Sequence, residues 1–115
     1  MLEKKAILGK AVFNAATQLG IDEAKLAAIL DINYSALISL KNKQLLDPKS
    51  KQGKQALLLI QMVKNLNNLA GGDPQIIHHF MNTPNSMTKG VPLQQLDTPH
   101  GLKIVSICIN IMSKK

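Results

Sequence analysis

The stretch Leu26-Ala27-Ala28-Ile29-Leu30-Asp31-Ile32-Asn33-Tyr34-Ser35-Ala36-Leu37-Ile38-Ser39-Leu40 decides how the chain is read. Leu26, Ala27 and Leu30 repeat at the spacing of one helical face; the pattern breaks at Asp31 and resumes with Leu37 and Leu40, three residues apart. Two short helices joined by a tight turn satisfy that pattern. Ala27 is small enough to let them approach, and a larger side chain there would push them apart. Asn33 can cap the second helix by accepting a free amide of its first turn. Asp31 stands where glycine is usual in such a turn, although aspartate tolerates a left-handed backbone better than most residues.

The same logic extends upstream. Asp22 is placed to cap the first helix of the pair, and Glu23 adds negative charge to its first turn. Before it, from about Glu3 to Leu19, Leu8, Val12, Ala15, Ala16 and Leu19 share one helical face and Lys10, Asn14, Thr17 and Gln18 the other; Gly20 ends the helix. Three helices therefore fill the first 42 residues. Downstream, residues 42–54 turn polar and lysine-rich, with Asp47-Pro48 as a turn signal and Ser50 as a cap for the next helix. Leu57, Leu58, Leu59, Ile60, Met62, Val63, Leu66 and Leu69 make that helix apolar nearly all round at its start, as a central helix or a dimer seam would be. Gly71-Gly72 stops it, and Asp73-Pro74 opens a short helix to Asn82. A loop rich in Pro, Asn, Thr and Gly runs from Thr83 to Pro92, and Thr98-Pro99 repeats the cap-and-proline start.

The last element, with β-branched Ile104, Ile107, Ile109 and Ile111, reads as strand or helix. The polar residues separate the two: Lys103, Ser106, Asn110 and Ser113 recur at spacings of three and four, one stripe on a helix but both faces of a strand. As a helix it is apolar around most of its circumference, which predicts burial in the core, against a second copy, or against another protein.

Composition agrees with an all-α chain. Apolar residues make up 45% and aromatics 3%, so the core is built from Leu, Ile, Val, Ala and Met. No apolar run approaches the ~20 residues of a membrane span, and the N-terminal residues lack the apolar stretch of a signal peptide, so a cytoplasmic protein with no membrane association is expected. Cys108 is the only cysteine, which excludes an internal disulfide and predicts a buried thiol. The formal charge is +7, with fourteen lysines, seven acids and no arginine. Nine lysines face five acids in residues 1–54 and five face two in residues 55–115, so positive charge spreads over both halves. Nucleic acid is the first partner such a balance suggests, although exposed lysine also keeps small proteins soluble.

The pair of helices around Asp31 resembles a helix-turn-helix motif, which sets the N-terminal part of its second helix in the major groove. On that reading Asn33, Tyr34, Ser35, Ile38, Ser39, Lys41 and Lys43 are the candidate DNA contacts, the two lysines meeting phosphates. Without arginine the commonest bidentate contact to guanine is missing, so base reading rests on Asn33, Ser35, Ser39, Lys41 and apolar contacts. A plain helical hairpin is the alternative. A homodimer is expected, since a chain this small buries more by pairing, and a symmetric one would space two recognition helices about one DNA turn apart.

From Leu66 to Val105 a more particular likeness emerges. Gly71-Gly72-Asp73, Phe80, Thr83-Pro84-Asn85, Gly90, Pro92-Leu93, Leu96, Thr98-Pro99, Gly101-Leu102 and Val105 resemble, in order and spacing, the toxin-binding domain of antitoxins of the Xre/MbcA/ParS type. Those antitoxins also carry an N-terminal helix-turn-helix, so the resemblance covers about residues 5–112. It implies three parts: a helix-turn-helix unit over 1–46, a linker over 47–54 and a three-helix toxin-binding domain over 55–115. It also implies a partner toxin with a RES domain, of a class that acts on NAD, held inactive by having its active-site entrance covered, and repression of the pair's own promoter. Asn85, Lys89, Thr98, His100, Lys103, Lys114 and Lys115 are the candidate toxin contacts. Because the chain ends three residues past Met112, any plug is expected from the last helix or from Lys114 and Lys115, whose charge suits a pocket that binds nucleotide phosphates.

The residues argue against catalysis, and no cofactor or metal is expected. His78 and His79 are adjacent, so on a helix they point about 100° apart and chelate poorly. Gly71-Gly72 lacks the Lys-Ser or Lys-Thr of a phosphate loop, no Gly-x-Ser-x-Gly turn occurs, and Cys108 has no cationic neighbour in sequence. Two further readings compete with the antitoxin. One is a stand-alone transcription regulator with a C-terminal dimerisation module; the other is an interaction protein whose motif no longer reads DNA.

Overall fold

The computed structural model describes residues 2–43 and 46–114. They form seven helices: α1 (Leu2–Leu19), α2 (Glu23–Leu30), α3 (Tyr34–Lys43), α4 (Lys51–Ala70), α5 (Pro74–Asn82), α6 (Pro92–Gln95) and α7 (Pro99–Ser113). Among the described residues there is no strand, and the nearest approach to one is an isolated bridge between Asn85 and Gly90.

The helix starts arise from local chemistry. Asp22 accepts the Lys25 amide at 2.8 Å, Asn33 that of Ala36 at 2.7 Å, Ser50 that of Gly53 at 2.9 Å, Asp73 that of Gln75 at 2.9 Å and Thr98 that of Gly101 at 3.0 Å. Each satisfies an amide that the first turn cannot pair internally. Pro74 and Pro99 occupy first-turn positions where no amide is needed. Asp31 ends α2 in the left-handed conformation, φ 59° and ψ 46°. Its N–H donates to the Ala28 carbonyl and that of Ile32 to Ala27, at 3.1 and 3.0 Å, closing the last turn of α2. The reversal expected at Asp31 is thus made by aspartate in the backbone region that glycine usually occupies.

α4 is the axis of the molecule, packing along α1 on one side and α7 on the other, with α2 and α5 across its ends. α1 and α4 run the same way. The Lys5 carbonyl accepts from the Leu46 amide at one end, Ile7 and Leu57 line a common groove, and Gln18 meets Asn67 at the other end. α7 enters from the same end as α4, since Lys51 and Gln55 share a cleft with Thr98, Pro99 and Leu102. The chain therefore lays down three co-directional helices and uses α2–α3 and α5–α6 as the two return paths.

Leu8, Val12, Ala15, Ala16 and Leu19, the predicted inner face of α1, are all buried. They join Leu26, Ala27, Leu30, Leu37, Leu59, Met62, Leu66, Met81, Leu102, Val105 and Ile109 in one cluster, to which residues on both sides of the 47–54 segment contribute. Burying each of the larger aliphatic side chains contributes about 1.5–3 kcal/mol. No described helix is long and apolar enough to cross a membrane.

One expectation needs correction. The predicted set has six helices, and the seventh, α6, is a four-residue turn begun by Pro92 after Val91, which supplies no side-chain cap. The polar stripe that identifies the last element as a helix is not its outward side: of its four residues only Lys103 is exposed. Ser106 is only 9% exposed and Asn110 and Ser113 are half-buried, while Ile107 and Ile111 are 49% and 53% exposed. The reason is the seat of α7: Leu102, Val105, Cys108 and Ile109 face the core, so the outward side falls on Lys103, Ile107 and Ile111.

Candidate functional site

Two surfaces collect the residues singled out in the sequence. The first is the outer side of α7. His100, Lys103, Ile107, Ile111 and Lys114 succeed one another at spacings of three and four, so they form a single ridge along the helix and its C-cap. All five are exposed. Met87, 44% exposed, stands beside the ridge, because its carbonyl accepts the Cys108 thiol at 3.7 Å. Cys108 itself is buried and free, as expected. An exposed ridge of two isoleucines with a methionine alongside, bordered by cations, is what remains unburied of the helix predicted to be apolar on most sides. Residues 98–115 contain no acid to balance its charge.

The loop that carries Met87 is built by Asn85. Its side-chain oxygen accepts the amides of Met87 and Thr88, at 2.9 and 3.1 Å, and its backbone exchanges hydrogen bonds with Gly90. Gln95 reaches in from α6 and donates to the Thr88 carbonyl at 2.6 Å. Lys89 closes the loop at φ 66° with its side chain exposed.

The seven candidate toxin contacts thus separate into groups. His100, Lys103 and Lys114 lie on the α7 ridge and Lys89 projects from the neighbouring loop. The side-chain oxygens of Asn85 and Thr98 are engaged with their own backbone turns. Lys115 lies outside the described residues. Ile107, Ile111 and Met87 belong to the same surface and are not among the candidates that the sequence suggests. The signal for Ile107 and Ile111 is present as the apolar positions alternating with the polar stripe, but which side of α7 faces outward depends on α4, and Met87 sits in a loop with no periodicity to mark it.

The second surface is the open side of α3. Ser35, Ile38 and Ser39 run along its middle, flanked by Tyr34 and Lys41 on the edge nearest α2 and by Lys43 on the other. Asn33 has its side-chain oxygen committed to the Ala36 amide, which leaves its NH2 group for any base contact. Tyr34 is 55% exposed, yet its hydroxyl donates to Glu23 Oε1 at 3.2 Å, and Lys41 Nζ meets Glu23 Oε2 at 2.6 Å. The hydrogen bond from Lys41, then that from Tyr34, holds the Glu23 carboxyl below its ordinary titration range; the same bonds raise Lys41 and Tyr34 above theirs. Local pattern assigns Glu23 only to the charge of the α2 first turn. Its partners lie 11 and 18 residues away, beyond the reach of any such pattern.

Among the described residues no group of three or more His, Cys, Asp or Glu side chains comes together. His78 bonds through Nδ1 to Asn82, and His79 to Thr83, each four residues on along the chain.

No family model matches this chain, and no match to it is found among the curated proteins.

Proposed function

We propose that this chain is an antitoxin: a protein that binds and neutralises a RES-domain toxin acting on NAD, and represses its own operon through α2 and α3. The observation that carries the reading is the α7 ridge. Ile107 and Ile111 are half exposed on a helix otherwise seated in the core, with Met87 beside them and His100, Lys103 and Lys114 along the same line. Large apolar side chains grouped in the open mark a surface that another molecule covers.

The charge favours a different protein over a second copy of this one. Pairing two α7 ridges antiparallel sets the Lys103 end of one copy against the Lys114 end of the other, and pairing them parallel sets like ends together. A partner that presents carboxylates around an apolar groove meets no such repulsion. The class of partner rests on the resemblance of residues 66–105 to the toxin-binding domain of Xre/MbcA/ParS antitoxins. The DNA-binding part rests on the left-handed turn at Asp31, the exposed face of α3 and the positive charge of the chain.

The second reading, a stand-alone regulator, would use the same ridge as its dimer seam. Expressing the neighbouring gene with and without this chain separates the two. Toxicity of the neighbour alone, rescue by this chain and co-purification of the pair are the expected results. A harmless neighbour that does not co-purify would overturn the antitoxin reading and leave the regulator.

A further inference from the structure

Glu23 begins α2 and reaches across to α3 with one carboxylate oxygen on each of two residues, Lys41 at 2.6 Å and Tyr34 at 3.2 Å. Tyr34 and Lys41 are seven residues apart, two helical turns, so both stand on one edge of α3. Of the two lysines that α3 offers to a phosphate, Lys41 has its counterion built in. Lys43, on the opposite edge, forms no ion pair among the described residues.

We propose that Glu23 acts as an internal competitor for nucleic acid at the α3 face, holding Lys41 and Tyr34 against contact with phosphate. The inference rests on the reading of α2 and α3 as a DNA-binding unit and identifies the residue that sets its affinity. For Lys41 to meet a phosphate it must leave Glu23, and the carboxylate it leaves repels that same phosphate. Tyr34 faces the same exchange, because its one hydroxyl proton is already donated to Glu23. The face therefore neutralises fewer phosphates than its lysines alone would suggest.

The effect is measurable because each phosphate neutralised contributes about 0.9 to the slope of log affinity against log salt. Glu23→Gln removes the charge and keeps an oxygen that can accept from Tyr34. Glu23 and Lys41 are both on the surface, so neither change empties the core.

The test is binding of random-sequence duplex DNA across a salt series by the full chain, Glu23→Gln, Lys41→Met, Lys43→Met and the Glu23→Gln/Lys41→Met pair, each confirmed folded by thermal melting. The expected results are roughly threefold to tenfold tighter binding by Glu23→Gln, a salt slope steeper by about one, and loss of that gain in the double variant. Lys41→Met alone changes binding little, while Lys43→Met weakens it. If the parent chain binds, Lys43→Met weakens it, and Glu23→Gln binds equally or less well, the competitor role is overturned and the DNA-binding reading stands. If neither the parent chain nor Glu23→Gln binds at the lowest salt, the DNA-binding reading itself falls, and the competitor role with it.

Discussion

The carbonyl oxygen of Gln95 lies directly over Gly101, so close that a Cβ on Gly101 would come within 1.9 Å of it. The same relation recurs half a chain earlier, where a Cβ on Gly53 would lie 1.9 Å from the Asp47 carbonyl oxygen. In both places the third residue after a capping hydroxyl, Ser50 or Thr98, is the glycine whose amide that hydroxyl accepts. The incoming chain crosses the first turn of the helix and leaves no room for a side chain.

Helix propensity alone favours alanine over glycine by about 1 kcal/mol in a helix, so Gly→Ala should stabilise α4 and α7 if nothing else intervened. The backbone contacts reverse the sign. Gly101→Ala and Gly53→Ala are expected to destabilise by about 3 kcal/mol or more. Thermal or urea unfolding checks this, and a rise in Tm for either variant would contradict the crossing geometry.

Asp31 holds a left-handed backbone that costs most non-glycine residues roughly 1–2 kcal/mol and aspartate less. Asp31→Gly removes that strain while losing only the exposed ion pair with Lys51. It is expected to match or exceed the parent chain in stability, whereas Asp31→Val falls below it by about 1–2 kcal/mol. Equal destabilisation by both would mean that the Lys51 pair, and not the turn, is what Asp31 contributes.

The Glu23 cluster predicts where pH acts. Glu23 titrates below its ordinary 4.5 in the folded chain, so its contribution is present above that value and lost as pH falls through the lowered pKa. Lys41 titrates above its ordinary 10.5, so its side of the pair persists below that value and is lost as pH rises through the raised pKa. Between the two the cluster is insensitive to pH. NMR titration of the Glu23 carboxyl checks it: Lys41→Met should move that titration upward, and no movement would remove the coupling.

Replacing Ile107 or Ile111 with Asp should leave the isolated chain within about 1 kcal/mol of the parent, because both side chains are half in solvent. Val105→Asp, at a fully buried neighbouring position, should unfold it. Co-purification with the partner is expected to be lost in the first pair although they remain folded. Retention of the partner by both would move the docking surface off α7.

Much of the fold is legible in the sequence because its signals are local. Asp22, Ser50, Asp73 and Thr98 mark helix starts within three residues of the amides they accept, and Gly71 stops α4 at φ 62°. Asp31 is legible as a turn for the same reason. α6 is not, since four residues give no periodicity to detect. The outward side of α7 is hidden from the sequence because three and four residue spacings establish a helix without saying which of its sides α4 covers. Glu23 shows the further limit: its two partners are brought to it only by the turn at Asp31, so its role becomes visible only once α2 and α3 are folded together.

The co-directional pairing of α1 and α4 has a consequence during synthesis. The Gln18–Asn67 contact joins residues 49 apart in the chain. α1 leaves the ribosome long before the helix it runs along, and until α4 emerges, its side chains at Val12, Ala15 and Leu19 have only the short α2 and α3 to cover them. A fragment ending before α4 would therefore leave the apolar face of α1 without the helix that covers most of it.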